Sequence, residues 1–308
     1  MPLISVIIPV YNVERFVEEC LRSVFAQTMR DFDLIIVDDC STDSSMEIVR
    51  RVCAECAGDI DVQILSTGKT SGVSVARNMG MDASTAKYIY FVDSDDYISA
   101  DALERLSDVA TRHPEAEIIY GTTKVFGNSN NIETLNIAAK NLPECVCGFK
   151  DASSLMLKHW LLPDYIWNRL FCREWLNSNK FRFTPGILAQ DLHLRFYMAK
   201  KIKCIAFCNT ITYFYRYNSY NVSSTRAEFQ YACIDWIICD WTRHLSIKNL
   251  SSQLLLLMHR ANDSYLRHRG PDAPLPPAWR KLPGALLHWA RLMRRYGKEI
   301  PKENNINQ

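Results

Sequence analysis

Short apolar runs rich in β-branched residues alternate with stretches of helical period through the first 122 residues, and this alternation constrains the fold more than any other feature. The runs are 3–9 (LISVIIP), 33–38 (DLIIVD), 62–66 (VQILS), 88–93 (YIYFVD) and 116–121 (AEIIYG). Each has strand length and is bounded by polar, Gly or Pro residues, so each reads as a buried strand. Between them, Val17, Cys20, Leu21 and Val24 share one helical face within 13–27, and Met46, Val49, Val52 and Cys53 do so within 43–56. Residues 72–83 form a helical stretch of small residues, and 100–112 carries Leu103, Leu106 and Val109 on one side. Such alternation implies right-handed crossovers and an α/β fold with a mostly parallel sheet covered on both faces.

The pattern then changes. Residues 123–150 are polar and Asn-rich, which predicts a loop or an edge hairpin. From about 150 to 220 the chain is mixed and aromatic-rich, and from 228 to 268 it is largely helical. The cluster GPDAPLPPAW (270–279) breaks it. A last helix is expected over 281–298, with Leu282, Leu286, Trp289, Met293 and Tyr296 along one stripe and Arg291, Arg295 and Lys298 along another. The terminal KENNINQ reads as disordered.

Composition narrows the function. With 308 residues, 48% of them hydrophobic, the chain can bury a large core. A net charge of +2 gives no field for nucleic acid, and no nucleic-acid motif is visible. No apolar run approaches a membrane span, and MPLISVIIPVYN lacks the features of a signal peptide. Eleven scattered cysteines fit reduced, buried thiols of a cytoplasmic protein better than a disulfide framework. Cys53-x-x-Cys56 and Cys145-x-Cys147 have the spacing of zinc half-sites, against which stands the reading of small core residues.

In an open parallel sheet, ligands bind beyond the carboxyl ends of the strands. Acidic groups gather there. The second run ends in Asp38-Asp39 and the turn CSTDSS; the fourth ends in Asp93-Ser94-Asp95-Asp96; the first ends in Pro9-Val10-Tyr11-Asn12 with Glu14 just beyond. Asp43 and Ser41 suit helix N-caps. Asp93 and Asp95 together suit a divalent cation, because crowded carboxylates repel unless a positive charge joins them. All-oxygen donors select a hard ion such as Mg²⁺ or Mn²⁺, and so few carboxylates leave positions open for phosphate oxygens. No G-x-G-x-x-G follows the first run, and Gly68-Lys69-Thr70 lacks the upstream glycine of a P-loop, where Gln63 stands.

Four segments, ISVIIPVYN, IIVDDCSTDSS, GVSVARNMG and YIYFVDSDDYI, resemble in order and spacing the inverting family 2 glycosyltransferases of the GT-A fold. WNRLF (167–171), GILAQDLHL (186–194) and YFYRYNSYNVSS (213–224) resemble the acceptor side of bacterial members that build surface polysaccharides. The resemblance implies a GT-A domain over 1–225, with a nucleotide-sugar half (1–122) and an acceptor half (123–225), followed by a helical extension over 226–308. It implies that Pro9, Tyr11, Asn12 and Glu14 line the nucleoside pocket, with Tyr11 against the base. Asp39 would bond the base, expected to be uracil. Arg77 would lie near base and diphosphate, Asp93 at the ribose or the metal, Ser94 in the nucleotide-sugar site, and Asp95 on Mn²⁺ or Mg²⁺ between the two phosphates. Asp191 matches the general base. Its usual glutamate neighbour is here Gln190, which removes a charge and should leave Asp191 a slightly weaker base.

The implied activity is transfer of a hexosyl or N-acetylhexosaminyl group from a UDP-sugar to a glycan or lipid-linked glycan, at the inner face of the bacterial cytoplasmic membrane or in the cytoplasm. Trp167 is a candidate acceptor platform or a packing residue. Arg216 is a candidate phosphate ligand or a structurally paired arginine. The basic, apolar 281–298 helix suits anionic lipid or its own core. Two other functions compete: a catalytically weak nucleotide-sugar-binding partner subunit, suggested by Gln190, and a nucleotidyltransferase, for which PVYNVERF supplies no triphosphate loop.

Overall fold

The computed structural model describes residues 1–127, 142–158, 162–217, 227–268, 278–296 and 300–302. Residues 128–141 of the expected 123–150 loop, 218–224 of the tyrosine-rich motif, the proline cluster before Ala278, 297–299 with Lys298 of the basic stripe, and the terminal 303–308 lie outside the described residues. The chain divides into two compact units. The first comprises Met1–Ala152, Tyr165–Pro185 and Lys201–Asn218; the second comprises Ser153–Asp164, Gly186–Lys200 and Ser219–Gln308.

The first unit is built on strands β1 (Ile4–Val10), β2 (Phe32–Asp38), β3 (Val62–Ser66), β4 (Tyr88–Phe91), β5 (Tyr97–Ile98), β6 (Ile118–Gly127), β7 (Cys145–Cys147), β8 (Arg169–Cys172) and β9 (Cys204–Tyr217). The helices α1 (Val17–Phe25), α2 (Ser45–Cys56), α3 (Val73–Ala83), α4 (Ala102–Arg112) and α6 (Arg173–Ser178) accompany them, while α5 (Phe149–Leu157) runs from the first unit into the second. The sheet order is β3-β2-β1-β4-β8-β6-β9-β5, with β7 beside β9. Strands β3, β2, β1 and β4 run parallel, as the alternating pattern predicts. The sheet is mixed beyond them, because β8 enters antiparallel between β4 and β6. β6, which runs parallel to β4, is therefore set one strand away from it. β8 spans only four residues, too few for a sequence period to reveal.

The helices form for the reason their spacing suggests. Val17, Cys20, Leu21, Val24 and Phe25 of α1 are buried at i, i+3, i+4, i+7 and i+8, while Glu18, Glu19 and Arg22 face water. Each large apolar side chain so covered contributes about 1.5–3 kcal/mol. α3 is small-residue helix for a steric reason: a Cβ at Gly80 would lie 2.4 Å from Cγ2 of Ile7 on β1.

The register sets the rim. Val10 pairs with Asp38 and Asp38 with Ser66, so three strands end level and deliver Tyr11, Asp39 and Thr67 together. Pro9 fits this central strand because of where its missing donor points. Val92 N–H bonds Ile7 O and Asp39 N–H bonds Val10 O, so Pro9 faces the β4 side, past the last bond there.

One cysteine expectation is corrected. Cys147 and Cys204 form a disulfide, whereas the other nine cysteines are free. Antiparallel pairing of β7 with β9 sets the two residues opposite each other, which their 57-residue separation does not suggest.

The second unit holds α7 (Gln190–Ala199), α8 (Ala227–Arg243), α9 (Leu250–His268) and α10 (Ala278–Tyr296). Trp241 of α8 is wholly buried and stacks on Phe196 of α7, with centroids 5.1 Å apart. α10 packs through His288 and Leu292; His288 Nε2 lies 2.9 Å from Ser264 Oγ, and Trp289 Nε1 donates to Thr242 Oγ1 at 3.0 Å. Among the described residues, no helix is long and apolar enough to cross a membrane.

Candidate active site

The β1–α1 and β2–α2 loops are laced together at the rim. Asn12 adopts a left-handed conformation (φ 51°), which asparagine tolerates, and its Oδ1 accepts the Thr42 N–H at 2.8 Å. Ser44 N–H donates to Glu14 Oε2 at 3.0 Å, and Glu14 N–H donates to Asp43 Oδ2 at 3.1 Å. Tyr11, carried above this clasp, stays 43% exposed.

Asp39 is 3% exposed and organises the next loop. Its Oδ1 accepts Thr67 Oγ1 at 2.9 Å and the Ser71 N–H at 2.8 Å, and its Oδ2 accepts the Gly72 N–H at 2.7 Å. Gly72 has φ 87° and opens α3, so the loop needs both the glycine and the carboxylate. A carboxylate has about four acceptor positions, and these three bonds leave one.

The carboxylates after β4 have separate surroundings. Asp93 Oδ1 pairs with the buried Arg77 guanidinium at 2.7 Å. Arg77 lies over the Phe183 ring at 5.4 Å, and Asn78 fixes Phe183 by bonds of 2.8 and 2.9 Å to its backbone. ARN thus holds Asp93 from one side of the rim. Asp96 is 1% exposed; Tyr213 O–H donates to its Oδ2 and Arg216 N–H to its Oδ1, each at 2.7 Å. Burial, then the charges of Asp95 and Asp93, push the Asp96 carboxyl well above the usual carboxylate range. Its oxygens are engaged in structure; Asp93 and Asp95 beside it are both half-buried, and carboxylate oxygens are the donors a hard cation takes. This donor set fits Mn²⁺ or Mg²⁺. Ser94 is buried in the turn between them.

Arg216 reaches the same rim. Its Nε donates to Asp95 O at 3.0 Å, its guanidinium pairs with Glu19, and it lies 5.1 Å from the Phe16 ring centroid. Trp167 is 4% exposed and stacks on Tyr165 at 3.7 Å and on Tyr213 at 4.5 Å. Its ring faces are taken by tyrosines, so it supports Tyr213 and, through it, Asp96.

In the second unit, Asp191 stands in the first turn of α7, after Ala189 in a left-handed conformation (φ 59°). A helix N-terminus favours a carboxylate. His193 is structural: its Nε2 lies 2.9 Å from Asp240 Oδ2, and Tyr197 O–H bonds the same oxygen. Burial works against Asp240 ionising, yet these bonds from His193 and Tyr197 hold its carboxyl below the usual range. Arg195 anchors the next turn through Leu162 O at 2.8 Å and an ion pair with Asp164. Gln190 is buried.

Reading the sequence alone missed Tyr213, the structural use of Asp96 and the fixing of Asp93 by Arg77. The signal for Arg77 was its place in ARN; nothing local marked Tyr213 as the partner of an aspartate 117 residues away.

The family model described as Glycosyl transferase family 2 matches residues 5–176. EpsJ, an uncharacterized glycosyltransferase of Bacillus subtilis, is 29% identical over 222 residues, which is 71% of this chain and 62% of EpsJ. The chain therefore spans less than two thirds of that relative's length. Staphylococcus aureus TarS 1–349 in complex with UDP-GlcNAc matches with a TM-score of 0.70 at 18% identity, over 97% of this chain and 82% of that one. The mannosyltransferase PcManGT of Pyrobaculum calidifontis, in complex with GDP-Man and Mn²⁺, matches with a TM-score of 0.59 at 18% identity, over 96% and 84%. At such identities the likeness is one of fold, and the fold is GT-A.

Proposed function

This chain belongs to glycosyl transferase family 2, and on that premise we propose that it moves a sugar from a UDP-sugar to a glycan or lipid-linked glycan of a bacterial surface polysaccharide, inverting the anomeric carbon. The observation that carries the reading is the rim after β4, where Asp93 and Asp95 stand half-buried beside Arg77 and Arg216 while Asp96 is spent on structure. UDP-GlcNAc in the TarS complex supports the donor class.

Tyr11 offers an exposed ring to the base, and the one acceptor position left on Asp39 suits the N–H of uracil. Pro9, Asn12 and Glu14 hold the loop that presents Tyr11. Asp93 and Asp95 would hold Mn²⁺ or Mg²⁺, with Ser94 in the turn that spaces them. The bound cation supplies Lewis-acid neutralisation of the leaving diphosphate. Arg216 adds positive charge beside Asp95. Asp191 takes the proton of the attacking acceptor hydroxyl. Attack opposite the leaving group inverts configuration, as a base on the far face of the ring does in inverting hydrolases. Gln190 beside it keeps size and hydrogen bonding without charge.

Peripheral contact with anionic lipid belongs to the same proposal. Leu286 and Leu287 of α10 are 46% and 65% exposed, and Arg291, Arg294 and Arg295 are exposed one to two turns on. That surface suits a lipid-linked acceptor.

Calorimetric titration of UDP, GDP and CDP, each with Mn²⁺ and with EDTA, tests the donor assignment. Binding of UDP that requires the metal is expected. Preference for GDP would overturn the donor class, and binding of no nucleotide would overturn the nucleotide-sugar reading itself.

A further inference from the structure

The cysteines that spacing left ambiguous are brought together by the sheet. Cys145 and Cys147 lie two apart on β7 and so share a face. Antiparallel register sets Cys147 opposite Cys204 at the start of β9. Cys145 Sγ then lies 3.3 Å from Cys147 Sγ and 3.1 Å from Cys204 Sγ, with the latter two joined as the disulfide. A carboxylate completes the group. Glu115, between α4 and β6, sets its Oε1 3.8, 3.7 and 4.0 Å from the sulfurs of Cys145, Cys147 and Cys204. His113 Nδ1 lies 3.6 Å from that same oxygen.

Apolar burial does not explain the cluster, since Glu115 and Cys147 are exposed and Cys145 is half-buried. The donor atoms all lie within 4.8 Å of one another. Around a tetrahedral zinc ion, bonds of about 2.3 Å to sulfur and about 2.1 Å to oxygen set neighbouring donors roughly 3.5–3.8 Å apart. The sulfur–oxygen separations are near that spacing, and the Cys145 sulfur is slightly inside it. Sulfur-rich donors select Zn²⁺, in contrast to the all-oxygen rim after β4.

We propose that, once the Cys147–Cys204 bond is reduced, Cys145, Cys147, Cys204 and Glu115 bind one Zn²⁺ that fastens β7 and the turn before β6 to β9. Reduction by a dithiol breaks the S–S bond; its two sulfurs take two electrons and two protons, and the dithiol becomes a disulfide. Three thiols then release three protons to water as their thiolates bind, so three thiolates and a carboxylate around Zn²⁺ carry a net charge of −2. His113 stands beside the Glu115 carboxylate without a hydrogen bond to it. The exposed Glu115 and Cys147 give the ion its entry. Site and rim share no residue, although Cys204 begins and Arg216 nearly ends the same strand.

The test uses the full chain, reduced with dithiothreitol, desalted without oxygen and titrated with Co²⁺. A thiolate-to-cobalt charge-transfer band that saturates at one equivalent and disappears on adding Zn²⁺ is expected. Cobalt on the all-oxygen rim gives no such band, so the signal reports the cysteines alone. Cys145→Ser should weaken the band, Cys53→Ser should leave it unchanged, and the oxidised chain should show none. No band from the reduced wild-type chain, or one of full strength in Cys145→Ser, overturns the proposal.

Discussion

Asp93, Asp95 and Asp96 are neighbours in sequence with different surroundings, the Arg77 guanidinium at Asp93 and Tyr213 with the Arg216 N–H at Asp96, and substitutions distinguish the proposed metal ligand Asp95 from Asp96. Asp95→Asn should abolish metal-dependent UDP binding; tight binding that persists in EDTA would contradict its assignment. Asp191→Asn should leave UDP affinity intact and lower turnover by roughly a hundredfold or more, the usual contribution of a positioned base. A matching loss of affinity would make Asp191 a binding residue instead. Asp96 carries a pH prediction. Its folded value is raised, first by burial and then by Asp95 and Asp93, so the folded chain holds this proton more tightly than the unfolded one. The resulting stabilisation is full below the ordinary aspartate value of 3.8 and is lost as pH rises through the folded value. Asp96→Asn has no proton to lose, so in EDTA the melting temperature of the wild type should fall relative to the variant as pH rises. A difference that stays constant with pH would refute the argument. The motif made the carboxylates visible in the sequence. Their division of labour was not, because it depends on Tyr213 and Arg216, at sequence separations of 117 and 120.

At the scale of elements, the loop between β3 and α3 depends on one side chain. Asp39→Ala would remove the carboxylate acceptor of the Ser71 and Gly72 N–H groups, while the Thr67 hydroxyl keeps Lys69 O at 2.7 Å. A stability loss of about 1–3 kcal/mol is expected in urea denaturation, together with weakened UDP binding. A variant of wild-type stability would show that the loop holds itself. β8 is the element that period reading could not find, and its partners explain why. Asn168, buried just before it, accepts from Tyr90 O–H and Thr212 Oγ1 and donates to Thr122 O and Thr123 Oγ1. That polar network fixes β8 between β4 and β6, and hydrophobic pattern carries no trace of it. The same network requires Gly121, where a Cβ would lie 2.3 Å from Asn168 Oδ1.

At the scale of the whole molecule, lipid contact and the two-unit organisation are the matters at stake. Removing α10 to test lipid contact would uncover the partners of His288 and Leu292, so a point change is cleaner. Leu286→Ser with Leu287→Ser, both at exposed positions, should keep the melting temperature and reduce flotation with anionic liposomes. Unchanged flotation would remove α10 from the membrane proposal. The two units interleave along the chain, with 153–164 and 186–200 grouped with the C-terminal helices. Local pattern was enough to place the parallel strands β1 to β4 and their helices, because periodicity is local and each amphipathic face must be covered. It also determined the carboxylate rim, because parallel strands of matched register end level and the motifs sit at those ends. Tertiary structure alone decided where β8 enters the sheet, which aspartate is spent on Tyr213, and that Cys145, Cys147 and Cys204 meet at Glu115. Each of these is a contact between distant segments, fixed by strand register and burial, and no window of sequence contains both partners.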